Sequence, residues 1–130
     1  MRRVGPVAIV AALLAGAIHA WFFVLESVLF MRPSVFGRFG IDSEADARIV
    51  RSFAYNQGFY NLFLTAGVVI GLALVATGDI ASGRVLVLFA CGSMIAAGVV
   101  LVLHNPRFAR AAAIQVVPPL VAVLAILAGA

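Results

Sequence analysis

Ala54-Tyr55-Asn56-Gln57-Gly58-Phe59-Tyr60-Asn61 runs directly into the apolar stretch from Leu62 to Thr77. Five side chains that form hydrogen bonds (Tyr55, Asn56, Gln57, Tyr60 and Asn61) therefore occupy the first turns of a segment apolar enough to cross a membrane. Hydrocarbon offers such groups no water, so they need partners from neighbouring helices or from a ligand. The rest of the chain reads as the scaffold that supplies those partners.

Composition supports a membrane scaffold. Of the 130 residues, 65% are hydrophobic and 11% charged. A soluble domain carries about a quarter charged residues. The mean hydropathy is +1.17, and nearly all the charge lies between apolar runs of transmembrane length. One small polytopic bundle, a single domain over residues 1–130, accounts for this pattern. The basic balance consists of arginines without lysine, spread over helix ends. It fits membrane orientation and headgroup contact rather than nucleic-acid binding. Cys91 is the single cysteine and lies inside an apolar run, so no intramolecular disulfide forms. The N-terminus imitates a signal peptide, with Arg2-Arg3 before an apolar run and Ala15-Gly16-Ala17 resembling a cleavage site. Apolar character continues through Trp21–Leu25 to Met31, too far for a signal segment, and predicts a retained first helix.

Four helices are expected, over about residues 4–31, 55–76, 85–103 and 109–127. The first is roughly 40 Å long, and Ala12, Gly16 and Ala20 give it a smooth face. His19 and Glu26 interrupt it. Seven residues is almost two turns, so the two share a face about 10 Å apart along the axis. Arg32-Pro33-Ser34 ends this helix, because proline cannot continue it. Gly37 and Gly40 loosen the connection that follows. Ser43, with acids at 44 and 46, reads as an N-cap, and the amphipathic segment after it is expected to run into the second helix. Within that helix, Gly67-x-x-x-Gly71 permits close approach of a neighbour, either another helix or another subunit. A polar turn is expected from Thr77 to Arg84. The third helix is nearly featureless and stops at His104-Asn105-Pro106. The fourth carries Gln115 one turn before Pro118-Pro119, and each proline leaves the carbonyl four residues earlier, Ile114 or Gln115, without its helical partner.

Four antiparallel spans with short turns make an all-α, up-down four-helix bundle. Chain order then places Glu26, the 55–61 stretch, His104 and Gln115 at the same end, that of the first and third loops, with His19 deepest. Those loops hold Arg32, Arg38, Arg48, Arg51, Arg107 and Arg110, against Arg2, Arg3 and Arg84 on the other side. The positive-inside rule puts the first group in the cytoplasm, although Arg2-Arg3 argue the other way.

His19 with Glu26 seven residues later, the Asn56-Gln57-Gly58-x-Tyr60-Asn61 block, and Gln115-x-x-Pro118 together resemble a small family of four-helix bacterial membrane proteins. It is known as domain of unknown function 1304. The resemblance covers nearly the whole chain, and the Asn-Gln-Gly-x-Tyr-Asn block is its specific part. It implies the fold and no activity. The family often carries a Glu directly before the His, whereas Ile18 precedes His19 here, which leaves one carboxylate on the first helix.

Two kinds of reading compete at each candidate residue. Glu26 reads as a proton-accepting or ligand-binding carboxylate, or as a helix-end Glu reaching headgroups or Arg51 and Arg32. His19 reads as a catalytic partner, or as a neutral imidazole bonded to a helix carbonyl or to Tyr60. The amides of Asn56, Gln57 and Asn61, with Tyr55 and Tyr60, line a cavity or act as interhelical glue. Gln115 lines the same cavity or marks an ordinary kink. Cys91 reads as an inert core residue. No ligand-spaced His/Cys cluster, phosphate loop, hydrolase triad or cofactor fingerprint occurs, so neither a metal nor a cofactor is implied.

The leading expectation is a polar intramembrane cavity holding a small lipophilic molecule. His19 and Glu26 would do acid–base work, and Tyr55, Asn56, Gln57, Tyr60, Asn61 and Gln115 would hold the polar end. The expected surroundings are the lipid bilayer of a bacterial inner membrane and further copies of the chain. The alternatives are an oligomeric, proton-coupled transporter and an accessory protein whose polar cluster is structural.

Overall fold

The computed structural model describes residues 4–130. Its helices are α1 (Pro6–Phe23), α2 (Pro33–Phe36), α3 (Glu44–Thr77), α4 (Ile80–His104) and α5 (Ala109–Ala128). A π-helical turn, Val24–Val28, continues α1, and 3₁₀ turns occupy Gly37–Phe39 and Pro106–Phe108. Four stretches are long and apolar enough to cross a membrane: Pro6–Val28, Glu44–Thr77, Ile80–His104 and Pro106–Ala128. The all-α, four-span architecture read from the sequence is present. The Arg2-Arg3 pair used for orientation lies outside the described residues.

The chain packs as two compact units. One combines the chain up to Ile18 with Leu64–Ala130, and the other is His19–Phe63. In the first, four apolar segments surround a core that includes Ala8, Ala12, Ala15, Val68, Val87, Cys91, Met94, Ala122 and Ile126. Alanines on α1 let the helices come close, as lipid-embedded helices that associate by packing require. Thr65 Oγ1 donates to the Gly16 carbonyl at 2.9 Å. Arg84 Nη2 donates at 3.3 Å to the carbonyl of Ile126, one of the last carbonyls of α5, which lack helical partners.

The Gly67/Gly71 face is used inside the chain. A Cβ at Gly67 would lie 3.3 Å from Ala90, and one at Gly71 only 2.9 Å from the Gly83 carbonyl oxygen. This face is therefore covered by α4 and is not free to pair subunits. Gly83 explains a further difference. The Thr77–Arg84 stretch was expected to be a turn, but only Gly78 and Asp79 separate α3 from α4. Gly78 takes φ +101°, and Asp79 Oδ1 caps α4 by accepting the Ser82 N–H at 3.1 Å. Ser82, Gly83 and Arg84 are helical, and Gly83 is a helix-crossing residue.

The second unit holds the π turn, α2, the 3₁₀ turn after it and the start of α3. Its own apolar core is Phe30, Phe36 and Ala47, with Met31, Ile41, Val50 and Ala54 against it. Ser43 caps α3 as its sequence position implied. Its Oγ accepts the Asp46 N–H at 3.1 Å and donates to Asp46 Oδ2 at 2.6 Å. Glu44 pairs with Arg48 one turn on. The amphipathic segment and the second predicted helix are thus one helix of 34 residues.

Candidate functional site

The site begins where α1 changes its winding. The Leu29 N–H donates to the Val24 carbonyl at 2.9 Å, an i→i−5 bond. The π turn that results carries Glu26. Single π turns inside α-helices are rare and occur frequently at functional sites. No glycine or proline within residues 24–28 announces it.

The start of α3 crosses this turn closely. Ser27 Oγ donates to the Tyr55 carbonyl at 2.8 Å. A Cβ at Gly58 would collide with the Ser27 hydroxyl and stand 3.0 Å from the Ser27 backbone nitrogen. Gly58 is there for space.

Three residues after Gly58, Asn61 turns towards α1. Its Nδ2 donates to Glu26 Oε2 at 2.7 Å. Asn61 is 6% exposed, and Glu26 is half-buried. His19 is completely buried. Its ring meets the edge of Phe22 at 5.3 Å between centroids. Phe59 adds an aromatic wall, with Phe23 at 5.1 Å and Tyr55 at 5.0 Å.

The other members of the stretch do not join this pair. Tyr55, Asn56, Gln57 and Tyr60 are exposed. Helix geometry gives the reason: successive side chains are about 100° apart, so a run of neighbours spreads around the helix and few share one face. Gln115 belongs to the first unit, where its Nε2 makes a long, 3.5 Å bond to the Met94 carbonyl. Pro118 and Pro119 lie within α5, which stays helical through them. An open groove of about 500 Å³, lined by residues including Pro6, Val10, Leu14, Val117 and Pro118, contains none of the predicted site residues. Nor does a second of about 570 Å³, lined by residues including Leu74, Val85 and Phe89. Among the described residues no three of His, Cys, Asp and Glu are grouped to hold a metal ion.

Chemically, the Glu26–Asn61 pair offers a carboxyl group fixed by an amide inside an apolar span. Such a group accepts or returns a proton, or binds a hydroxyl or cationic ligand group.

Fold and site are those of a small, four-span helical membrane protein with a carboxyl–amide pair near the end of its first span. The family model described as "Protein of unknown function (DUF1304)" matches residues 13–127, and the chain belongs to that family. No curated protein and no solved structure matches it.

Proposed function

We propose that the protein binds a small lipophilic molecule in a bacterial inner membrane and that Glu26 and Asn61 hold the polar end of that molecule. The 2.7 Å contact between the Glu26 carboxylate and the Asn61 amide, within a membrane span, carries this reading. Ionisable groups inside spans are costly and mark ligand or proton sites by default. The Asn61 bond orients one carboxylate oxygen and leaves the group able to meet a ligand. His19, about 10 Å away along the same helix, is the second group for acid–base work. An isomerase- or hydratase-like proton transfer on the bound molecule then needs no cofactor.

The test is mass spectrometry of small molecules that co-purify with detergent-extracted protein. Wild type, Glu26→Gln and Asn61→Leu are compared. A distinct compound in the wild type, lost from Glu26→Gln, supports the reading. Identical profiles in all three proteins overturn it. Once the compound is known, Glu26→Gln is expected to bind weakly and to abolish turnover.

A further inference from the structure

The exposed side of α3 has an order that the Glu26 site does not use. Ile49, Phe53, Asn56, Tyr60 and Phe63 are spaced 4, 3, 4 and 3 residues apart. That is a heptad seam. All five are exposed, with Ile49 at 73%, Phe53 at 78%, Tyr60 at 59% and Phe63 at 62%. The inward face of the same helix is a different set, with Ala47, Gly58 and Asn61 buried. The next seam position, Gly67, lies against Ala90 of α4. The unbroken exposed stripe therefore ends at Phe63, and beyond Gly67 the seam is exposed again at Ile70.

We propose that this stripe is the contact face for a second copy of the chain, with the two α3 helices parallel about a two-fold axis along the membrane normal. Lipid alone does not account for the stripe. Asn61 lies level with Glu26, in the last turn of the Pro6–Val28 span. Phe53 and Ile49 stand 8 and 12 residues earlier on α3, so they project about 12 and 18 Å further along the axis. There they sit among Arg48, Arg51 and Ser52, past the end of the first span.

Area, charge and register favour a second copy. A buried aromatic ring contributes roughly 150–250 Å². At the exposures above, the three rings and Ile49 offer about 400–600 Å² per copy, so a two-fold pair buries about 1,000 Å² in total, which reaches the lower bound for a specific interface. The positions flanking the seam are Val50, Ser52, Gln57 and Phe59, all uncharged. Arg48 and Arg51 lie outside them, so copies meet without like-charge repulsion, and Arg48 is already paired with Glu44. Copies inserted in one orientation put Asn56 opposite its own counterpart. There the two Asn56 amides can donate to each other's carbonyl oxygens, a kind of hydrogen bond that membrane helices use to associate. Asn56, Tyr60 and Gln57 thereby gain partners that neither α1 nor a ligand provides.

The test is oxidative cross-linking in native membranes of full-length chains carrying Cys91→Ser and one new cysteine. Phe53→Cys, Asn56→Cys and Tyr60→Cys lie on the stripe; Tyr55→Cys is exposed but off it. The stripe cysteines are expected to give a species of twice the 13.6 kDa chain mass, and Tyr55→Cys none. Adding Phe53→Ser and Tyr60→Ser to the Asn56→Cys chain is expected to lower its yield at least roughly tenfold, since aromatic anchors dominate such contacts. The changed residues on α3 are all exposed, and the buried Cys91→Ser change is common to every chain compared, so differences in yield between chains report the α3 positions. No dimer from the stripe, equal dimer from Tyr55→Cys, or an unchanged yield when Phe53→Ser and Tyr60→Ser are added to the Asn56→Cys chain overturns the proposal.

Discussion

Glu26 and Asn61 are 35 positions apart in sequence and 2.7 Å apart in space, amide nitrogen to carboxylate oxygen. The contact depends on two local departures from a plain helix pair. The π turn carries Glu26, and Gly58, one turn before Asn61, lets α3 come against Ser27.

The two halves of this pair are unequal in what they leave behind. Asn61→Leu removes the donor and leaves a carboxyl group in apolar surroundings without the amide that held it. A loss of about 1–3 kcal/mol is expected. Glu26→Gln keeps an acceptor oxygen for the Asn61 amide, so its cost is expected to stay below the ~0.6 kcal/mol that a hydrogen bond between membrane helices typically contributes. Unfolding both variants in mixed micelles with increasing SDS measures the difference. Equal losses would show that the bond contributes nothing particular.

Gly58 and Gly92 make a matched pair of opposite sign. A Cβ at Gly58 meets the Ser27 side chain and backbone. Gly58→Ala is therefore expected to cost about 1–3 kcal/mol, as overpacking does. Ser27→Ala should restore only part of this, because the Ser27 backbone nitrogen is itself 3.0 Å from the new atom. At Gly92, inside α4, nothing lies within 4 Å of an added Cβ. Gly92→Ala is expected to stabilise by about 0.5–1 kcal/mol through helix propensity. The same SDS titration reads both.

Much of this fold was legible because the signals are local. Apolar runs of membrane length predict the four spans, and Ser43 three residues before Asp46 predicts the α3 start. The site was legible in part. Glu26 and Asn61 stand out as polar groups within spans, but their pairing requires the crossing of two distant segments. The π turn has no local signature. Gly83 looks like turn chemistry and is instead a contact point for Gly71, which is why α4 starts five residues earlier than its apolar pattern implies. Reading Tyr55, Asn56, Gln57, Tyr60 and Asn61 as one lining overlooked the 100° step of the helix. Only Asn61 shares the buried side with Gly58.

That early start of α4 is itself testable. Asp79 satisfies the Ser82 N–H, one of the donors that a helix N-terminus leaves open. Asp79→Ala is expected to cost about 1 kcal/mol, and Asp79→Asn or Asp79→Ser much less, since both keep a capping oxygen. Amide hydrogen exchange at Ser82 and Gly83 localises the effect. Protection should fall there in Asp79→Ala and hold at Met94, in the middle of α4. A uniform change along α4 would point to a role other than capping.

Cys91 gives a probe of the core that needs no added group. It is fully buried in the core of the first unit, beside Val87 and Met94 in sequence register on α4. A thiol with no surface has no path for a reagent, so a membrane-permeant maleimide should leave the folded protein unlabelled and react fully after SDS unfolding. Gly83→Leu should open that core, because its side chain would meet the Gly71 carbonyl oxygen, 2.5 Å from an added Cβ, and Val75. Its Cys91 labelling rate in mild detergent is expected to rise well above wild type. Asn56→Ala, on the exposed side of α3, should leave the rate unchanged. Rapid labelling of the wild-type protein would mean that α4 does not hold Cys91 against its neighbours as described.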